Sequence, residues 1–573
     1  MDRLHGSFIE NYFHAALFSM EIGINSKIPT YSGGLGVLAG DILRSCADLH
    51  VPIVGVTLAS NKGYLTQLLD ADGNQTEGTM CWRIHDFASL MTPKISVQIG
   101  ERDVRVQAWR YLVTGLEGHQ VPVYLLDTDI FENRAEDREI TGHLYGGDLR
   151  YRLMQEIVLG IGGVRMLAAL GHTNIRKYHI NEGHSALVAV ELLKRLRKEY
   201  PDLPNWEILE LLRQRCVFTT HTPIPAGHDH FESSLVRELL SSYCDEQEIE
   251  AICHGGELNM TLLALDHSGY INGVAKRHEE ISRDMFPGYP IDSITNGVHH
   301  VFWTSEPFRN LYDKYISGWR KDPFNLRYVI SVPVEEIRQA HREAKKRLID
   351  WIYTKYGVAM DYDICTIGFA RRMTRYKRPY LLFTRPERLV EITKKVGPIQ
   401  VILSGKAHPK DTGGKELIKL IFAAIKRLQS DVKAVFIENY DMEIAQWLTS
   451  GVDVWLNTPK IPCEASGTSG MKACMNGVPS LSTLDGWWVE GCVEGVTGWA
   501  IEAKAVAACD WGMIDDSEDA ESLYRKLEQV VLPLYYTNPT AWAELMRYAI
   551  AFNASFFNSH RMVQQYLMNA YFS

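Results

Sequence analysis

The feature of this sequence that most constrains its fold is a repeated alternation of short apolar runs, polar loops and helical patterns. The run AALFSMEIGI leads into a glycine-bearing loop at residues 31–36, after which apolar residues recur on one helical face. From about residue 363 the pattern is clearer: the apolar runs 364–369 and 401–403 each precede a polar loop. Strands that alternate with helices in this way predict right-handed βαβ units and parallel sheets.

Residues 306–345 depart from this alternation, because they are rich in aromatic and charged side chains and a helix is predicted to begin near Val334. We therefore predict an α/β fold of two doubly wound, Rossmann-like lobes, residues 1–305 and 306–573, with a cleft between them. The last helices are in a position to pack back on the N-terminal lobe. Ligands of such sheets bind beyond the carboxyl ends of the strands, where the polar loops fall.

The net charge of the chain limits the classes of partner that it is expected to bind. The 573 residues carry 60 Lys and Arg against 70 Asp and Glu, a formal net charge of −10, which argues against a dedicated nucleic-acid binder. No apolar signal segment opens the chain, and no apolar run reaches the roughly 18 residues of a membrane span. Ten cysteines without a Cys-x-x-Cys pair predict reduced thiols in a cytoplasmic protein.

The most informative segment is EASGTSGMK at residues 464–472, which joins a strand to a helix expected at 471–475. A small, glycine-rich turn that opens a helix leaves free N–H groups and suits an anion. Lys472 would lie just inside that helix and point toward the anion. The spacing is not that of a Walker A loop, and a glycine-rich loop with a solvated lysine is the alternative interpretation.

A second segment, RRMTRYKR at residues 371–378, places five cations directly after a strand. Their mutual repulsion calls for an anion, and phosphate is the obvious candidate because arginine binds it in a bidentate manner. A solvated charged face is the alternative. The third segment, SGGLG at residues 32–36, forms the first strand-to-helix turn but lacks the full dinucleotide-binding fingerprint.

Together these segments resemble the α-glucan phosphorylase family, most closely its short bacterial and archaeal form. SGGLG, FTTHTP, ITNGV, RRMTRYKRP, ENY and EASGTSGMK occur in the order seen in that family, and the likeness runs from Phe18 to Glu490. The resemblance implies a GT-B fold and pyridoxal 5′-phosphate as cofactor. It also implies phosphorolysis of terminal α-1,4-linked glucose from a glucan or maltooligosaccharide by inorganic phosphate, which yields α-glucose 1-phosphate with retained configuration.

By this resemblance, Lys472 carries the cofactor aldehyde as a Schiff base and serves as an anchor rather than a nucleophile. The other residues implied at the cofactor are Thr468, Ser469, Gly470, Arg371, Tyr440 and Trp303. Arg371 stands where larger relatives carry lysine, and Ser469 and Gly470 stand where they carry Gly-Asn. These departures fall on the contacts to the cofactor phosphate.

The same resemblance assigns the substrate contacts. Arg372 and Lys377 match the pair that binds the reacting phosphate. His221 and Asn296 match residues that bind the glucosyl 6-hydroxyl, and the 464–467 segment matches residues that bind the 3- and 4-hydroxyls. The implied catalytic residues are Arg372, Lys377, His221 and Glu464, and the implied substrate-binding residues are Gly34, Leu35, Asn296, Ser466 and Gly467.

Three other functions remain open at this point: a nucleotide-sugar glucosyltransferase of the glycogen synthase kind, a retaining glycosidase, and a non-catalytic glucan-binding protein. Position 472 favours the phosphorylase, because the glucosyltransferases carry a glutamate there. A glycosidase needs two carboxylates about 5 Å apart, and Glu464 has no evident partner in its motif.

Further expectations concern metal, packing and control. No metal is expected, because the histidines at 179, 184, 228 and 230 are scattered and the resembled chemistry is metal-free. Trp487 and Trp488 are expected to be buried rather than to stack on a glucan. The chain begins close to the first glycine loop, so we expect no control by phosphorylation or nucleotides of the animal kind; a homodimer is compatible with the resemblance.

Overall fold

Two sheets organise the computed structural model, which describes residues 14–80, 82–224, 227–428, 430–506 and 516–572. The strands of the first half are β1 (Ala15–Ser19), β2 (Ile53–Leu58), β3 (Thr66–Leu69), β4 (Gln75–Gly78), β5 (Ser89–Leu90), β6 (Ile95–Ile99), β7 (Arg102–Thr114), β8 (Gln120–Asp127), β9 (Lys177–Asn181), β10 (Cys216–Thr219), β11 (His230–Glu232), β12 (Cys253–His254), β13 (Glu257–Asn259), β14 (Tyr270–Gly273) and β15 (Ile291–Ser293). The helices of this half are α1 (Gly34–Asp48), α2 (Ala135–Arg138), α3 (Leu149–Ile157), α4 (Gly163–Ala169), α5 (Leu187–Glu199), α6 (Asn205–Arg215), α7 (Ser233–Leu240), α8 (Glu246–Ile252), α9 (Met260–Asp266), α10 (Lys276–Met285), α11 (His300–Trp303) and α12 (Glu306–Tyr315).

The second half contributes a smaller sheet. Its strands are β16 (Cys365–Ala370), β17 (Ile399–Ser404), β18 (Lys433–Ile437), β19 (Val454–Asn457), β20 (Ser480–Thr483) and β21 (Gly498–Ile501). The helices of this half are α13 (Val334–Tyr356), α14 (Pro386–Lys395), α15 (Thr412–Leu428), α16 (Met442–Gly451), α17 (Thr468–Cys474), α18 (Trp488–Gly491), α19 (Ser517–Lys526), α20 (Leu532–Thr537), α21 (Pro539–Tyr548) and α22 (Ser559–Tyr566).

The sheets confirm the prediction of an α/β fold with parallel strands. The larger sheet has the order β15-β14-β10-β9-β1-β2-β8-β7-β5, with β6 paired to β7. Its strands from β15 to β8 are parallel, whereas β7 runs antiparallel to β8. The smaller sheet, β18-β17-β16-β19-β20-β21, is parallel throughout. The antiparallel edge of the larger sheet is an addition that the strand–helix alternation does not predict.

The order of connection reverses once in each sheet. β1 lies between β9 and β2, and β16 lies between β17 and β19. At such a reversal the flanking loops leave the strand ends on opposite faces of the sheet and open a crevice. Glu21 follows β1 and Arg371 follows β16, and both line the same cavity. The two reversals therefore place the site.

Apolar side chains cover both faces of each sheet, because strands that are buried on both sides need apolar residues at every position. Leu17 and Phe18 are neighbours in β1 and belong to hydrophobic clusters on opposite faces. Val401 and Ile402 divide in the same way in β17. Trp487 and Trp488 are 1% and 0% exposed, which confirms the prediction that they pack in the core.

The last helix of the chain, α22, packs against α1 in the first half. The hydroxyl oxygens of Ser45 and Ser559 lie 2.6 Å apart, and Arg561 donates to the carbonyl oxygen of Asn296 at 2.9 Å. The Tyr571 hydroxyl lies 2.7 Å from Nδ1 of His179 in β9. The end of the chain thus covers the sheet in which the chain begins.

The cysteines and helices bear on two further expectations. Cys463 is disulfide-bonded, so the prediction of wholly reduced thiols is wrong at this residue; pairing depends on which cysteines the fold brings together rather than on short spacing. Seven other cysteines in the described segments are free. None of the described helices combines the length and apolarity needed to cross a bilayer.

The buried His179 should make the fold less stable in mild acid. Burial, reinforced by His221, lowers its pKa to about 3, whereas the unfolded chain binds this proton near pH 6.5. The stabilisation is therefore complete above pH 6.5 and is lost as the pH falls from 6.5 toward 3. Between pH 7.5 and pH 5 the contribution of His179 to the free energy of unfolding should fall by about 2 kcal/mol.

Urea unfolding of the chain and of His179→Gln at these two pH values measures this contribution. The variant should lose less stability than the original chain on acidification. An equal decrease in both proteins would contradict the assignment to His179.

Candidate functional site

One cavity of about 1150 Å³ is lined by loops that follow strands of both sheets. Every residue that the sequence analysis assigned to the site lines it, with the exception of Gly470. Gly470 lies in α17, where a Cβ would approach the Trp487 indole to 2.7 Å. Its missing side chain thus allows α17 to pack against this tryptophan.

Glu21 holds the glycine loop on one wall of the cavity. Its Oε2 accepts the backbone N–H groups of Ser32 at 2.5 Å and Gly33 at 3.1 Å. A Cβ on Gly36 would lie 2.7 Å from the same oxygen, so the last glycine of the motif makes room for this carboxylate. Helix α1 begins at Gly34, and the N–H groups of its first turn have no partner within the helix.

The cation loop on the opposite wall does not direct all its charges at a ligand. Arg371 and Lys377 contact Oε2 of Glu464 at 2.8 and 2.6 Å, and all three side chains are buried. Arg378 turns away and pairs with Asp516 at 2.9 Å. The hypothesis that the five cations jointly need an external anion is therefore wrong, because carboxylates of the chain itself neutralise three of them.

Arg372 is a residue of this loop that can meet an anionic ligand. Its side chain is exposed into the cavity and has no hydrogen-bond or ion-pair partner among the residues that the structure describes. The walls of the cavity partly desolvate the guanidinium, which opposes its charge. Tyr376, Tyr64 and Glu21 outweigh this effect and raise the pKa of Arg372, so the guanidinium stays ionised. A Cβ on Gly33 would lie 3.7 Å from its Cδ, which places this arginine beside the glycine loop.

The glycine-rich segment opens α17 earlier than predicted. Gly467 adopts a left-handed conformation with φ of 87°, which glycine reaches without steric cost, and the helix begins directly after it at Thr468. The N–H groups of Thr468 and Ser469 are therefore first-turn donors on the cavity wall. Lys472 lies in the second turn, not at the helix start as the sequence analysis expected.

Lys472 projects into the cavity over an aromatic ring. It is 5% exposed, and its Nζ lies 4.0 Å from the ring centroid of Trp303, whose Nε1–H donates to Asp41 at 2.7 Å. Burial lowers the pKa of Lys472 to about 8, with Asp41 partly opposing this shift. A useful fraction of the amine is thus neutral near pH 8 and nucleophilic toward a carbonyl.

His221 stands at the end of the cavity formed by the larger sheet. Its Nε2 lies 2.8 Å from Oδ1 of Asn181, and its backbone N–H donates to Glu182 at 2.8 Å. Burial lowers its pKa to about 4, with Glu182 partly opposing, so the imidazole is neutral at pH 7. Glu182 itself has a φ of 72°, a strained value for a residue other than glycine that is typical of functional sites.

Two residues assigned to sugar recognition hold unused polar atoms. Oδ1 of Asn296 and Oγ of Ser466 are buried and have no hydrogen-bond partner in the described part of the chain. Leaving such an atom unsatisfied costs about 1–3 kcal/mol. Both residues line the cavity, so hydroxyl groups of a ligand can satisfy them.

Three residues that shape the site were not singled out from the sequence: Glu21, Lys406 and Asp485. Glu21 lies two residues after the end of the first strand. A charged residue at the end of a strand is the feature of the sequence that could have identified it as part of the site. Lys406 lines the cavity, and burial lowers its pKa to about 8. Asp485 accepts the backbone N–H of Glu464 at 2.8 Å, a contact between loops that no local pattern announces.

Within the described residues, the histidines that converge in the manner of metal ligands are His299, His300 and His560, whose ligand atoms lie within 4.8 Å of one another. They are not the four histidines that the sequence analysis considered. His299 uses both ring nitrogens, because Nδ1 accepts the N–H of Phe302 and Nε2 contacts Asp48 at 2.8 Å. His560 contacts the same carboxylate at 3.1 Å. Hydrogen bonds of His299 and His560 to Asp48 thus join α1, α11 and α22.

Comparisons with known proteins agree with this site. The family model described as carbohydrate phosphorylase matches residues 243–496. A protein of Thermococcus litoralis named maltodextrin phosphorylase is 37% identical, over 96% of this chain and 70% of its own length. Two proteins named glycogen phosphorylase are also similar: that of Aquifex aeolicus is 36% identical over 99% of this chain and 87% of its own length, and that of Mycobacterium tuberculosis H37Rv is 35% identical over 97% and 70%.

These matches span nearly the whole chain. The likeness therefore extends over the segments that form both sheets. The chain belongs to the carbohydrate phosphorylase family.

Proposed function

We propose that the chain catalyses the phosphorolysis of terminal α-1,4-linked glucose from a glucan or maltooligosaccharide, and releases α-glucose 1-phosphate with retained configuration. The observation that carries this proposal is Arg372, which has no hydrogen-bond or ion-pair partner in the described segments, lies beside the glycine loop and lines the same cavity as the buried amine of Lys472. A nucleotide-sugar glucosyltransferase is not favoured, because lysine occupies position 472 and the relatives that match nearly the whole chain are named phosphorylases.

We propose a GT-B arrangement for this activity, with residues 1–305 and 306–573 as its two lobes and the cavity between them. The larger sheet ends at residue 293 and the smaller sheet begins at residue 365. Glu21 and His221 from the first half line the cavity together with Arg371 and Glu464 from the second. The protein acts in the cytoplasm in this proposal, without nucleic acid or membrane as partner, and a homodimer is compatible with it.

The terminal glucose of the glucan would occupy the part of the cavity bounded by His221, Asn296 and the 464–467 loop. Neutral His221 donates from Nε2 to Oδ1 of Asn181, so its Nδ1 can accept one hydrogen bond from a sugar hydroxyl. The carboxylate of Glu464 remains ionised, because Arg371 and Lys377 outweigh the effect of burial and lower its pKa to about 2. An ionised carboxylate accepts hydrogen bonds from sugar hydroxyls, and such charge-assisted bonds are strong.

The reacting phosphate would bind between Arg372 and the glycine loop. Arg372 offers a planar fork of donors to two phosphate oxygens, and the first-turn N–H groups at Gly34 and Leu35 lie on the facing wall. Lys377 pairs with Glu464 and, with Arg371, balances the charge of that carboxylate, so that Glu464 does not repel the bound phosphate. This arrangement holds an anion next to the anomeric carbon and stabilises the charge of an oxocarbenium-like transition state.

The leaving oxygen of the glucan requires a proton that these side chains are poorly placed to give. Glu464 and His221 have pKa values of about 2 and about 4, so neither carries an acidic proton at pH 7. The reacting inorganic phosphate has an ionisable proton of its own near neutral pH, so it can hold this proton and deliver it to the leaving oxygen. The chain contributes by holding this phosphate next to the glycosidic oxygen, on the same face of the glucosyl ring, as retention of configuration requires.

The residues at Lys472 fit pyridoxal 5′-phosphate. A buried amine with a lowered pKa lies on the cavity wall next to the rings of Trp303 and Tyr440, and first-turn N–H groups of Thr468 and Ser469 lie nearby. Lys472 would hold the aldehyde, and these N–H groups together with Arg371 would hold the phosphate. When bound, the cofactor would supply a second phosphate that can exchange a proton with the reacting one.

Reduction with borohydride should attach the cofactor to Lys472 alone. Lys406 is the internal control, because it also lines the cavity and burial lowers its pKa to the same value of about 8. Peptide mapping by mass spectrometry should find the reduced pyridoxyl group on the peptide that contains Lys472. Label on Lys406 would overturn the assignment.

Replacing Arg372 should impair the reaction in both directions, because phosphate and glucose 1-phosphate share the same group. Loss of a bidentate charge-assisted contact in Arg372→Ala should cost about 2–4 kcal/mol, roughly 30- to 1000-fold in kcat/KM. Arg372→Lys should recover little, since an ammonium lacks the planar fork.

Steady-state kinetics with varied phosphate, glucose 1-phosphate and glucan test this role. Arg385→Ala is the matched control, because Arg385 is exposed and its ion pair with Glu521 lies outside the cavity lining. A variant at Arg372 with an unchanged response to both phosphate species, and weakened only toward glucan, would rule the role out.

Glu464→Gln should lower glucan turnover while the cofactor stays bound. The amide cannot balance Arg371 and Lys377, and it loses the charged acceptor for sugar hydroxyls, so kcat should fall by about 100-fold. The absorbance of bound pyridoxal and the rate of glucose 1-phosphate formation measure the two effects separately. If the variant loses pyridoxal instead, Glu464 belongs to the cofactor site.

A further inference from the structure

Asp485 lies behind the loop that carries Glu464. It follows β20, is 0% exposed, and its two carboxylate oxygens accept backbone N–H groups on either side. Oδ2 accepts from Glu464 at 2.8 Å, and Oδ1 accepts from Gly486 at 3.0 Å. The carboxylate therefore ties the backbone of Glu464 to the loop after β20.

A second contact joins the same two loops. The backbone N–H of Trp487 donates to the carbonyl oxygen of Ser466 at 2.9 Å. Gly486 allows this approach, because a Cβ there would lie only 2.4 Å from that oxygen. The loop after β20 thus forms hydrogen bonds with the backbone at Glu464 and at Ser466, two of the residues whose side chains are assigned to the sugar.

The groups around Asp485 allow its carboxyl group to change protonation state near neutral pH. The groups that face it are the carboxylate of Glu464, the guanidinium of Arg277 in α10 and the two N–H groups it accepts. Burial raises its pKa to about 7; the N–H of Glu464 opposes this shift and the charge of Glu464 adds to it. Arg371 and Lys377 pair with Glu464 and lower its pKa to about 2. The pKa values of Glu464 and Asp485 therefore lie far apart, although the two carboxyl groups are neighbours.

We propose that Asp485 is the positioning residue of the sugar-binding loop: its ionised carboxylate holds the backbone of Glu464 in place, and its protonation releases this hold and weakens the binding of glucose. The inference rests on the proposed function in one respect, the role of Glu464 and Ser466 in sugar binding. It adds a residue that touches neither sugar nor phosphate and acts through the backbone of one that does.

The physical basis is the number of acceptors that Asp485 offers. As a carboxylate it accepts both N–H groups in charge-assisted hydrogen bonds. Once protonated, one of its oxygens carries a hydrogen and becomes a weak acceptor, so one of the two N–H groups loses a strong partner in a buried site. Small displacements of a binding loop can cost up to about 100-fold in a reaction that depends on its geometry.

The test measures binding of glucose to the holoenzyme by calorimetry from pH 5.5 to pH 8.5. Glucose is the suitable probe because it has no group that titrates in this range, unlike phosphate. Affinity for the original chain should be constant near pH 8.5 and should weaken about tenfold toward pH 5.5. Asp485→Asn should bind as weakly at every pH as the original chain does at pH 5.5.

Asp245→Asn is the matched control. Asp245 also accepts a backbone N–H, that of Glu248 at 2.9 Å, but it caps α8 outside the cavity lining. Its glucose affinity should follow the curve of the original chain. The thermal midpoint and pyridoxal content of each variant are measured in parallel.

Several results would overturn the inference: an affinity of the original chain that does not change with pH, a pH curve of Asp485→Asn that matches it, or no glucose binding at any pH. If Asp485→Asn does not fold, the curve of the original chain alone decides. Formation of glucose 1-phosphate by the original chain tests the proposed function separately, since that activity can be present whether or not glucose affinity depends on Asp485.

Discussion

The site depends on the ion pairs that join Glu464 to Arg371 and Lys377. They connect the loop after β16 to the loop that follows β19, so two loops far apart in sequence keep one spacing across the cavity. Buried charges are tolerable only when they are paired, and removing one partner here would leave the others uncompensated. The pairs also decide the electrostatics of the loop, because Glu464 balances charge on Arg371 and Lys377, whereas Arg372 has no such carboxylate partner within the described segments.

Much of this architecture follows from local pattern. Strand–helix alternation predicts parallel sheets, and polar residues after strands predict where ligands bind, which is why the motifs around Gly34, Arg372 and Lys472 meet in one cavity. The sequence predicts the start of α17 three residues too late, because the small glycine-rich segment around Gly467 is typical of a turn. Its left-handed φ lets the helix begin at once.

What the sequence could not predict are contacts between distant segments. The carboxylate partners of Arg378 are Asp516 and Asp519, 138 and 141 positions away, and no local rule separates this arginine from Arg372 in the same loop. The roles of Glu21 and Asp485 could not be predicted for the same reason. Each carboxylate accepts backbone N–H groups of another loop segment, and neither residue belongs to a run of charges. The antiparallel strands β5–β7 depend on edge pairing, which periodicity does not reveal.

The position of α22 has a consequence for synthesis on the ribosome. N-terminal domains generally fold first as the chain emerges, but here Met562, Val563 and Tyr566 fill the apolar surface between β1 and α1. That surface stays uncovered until α22 has left the exit tunnel. The first sheet can therefore reach its final packing only after α22 has been synthesised, and nascent chains that stop short of α22 will present an exposed apolar face to chaperones.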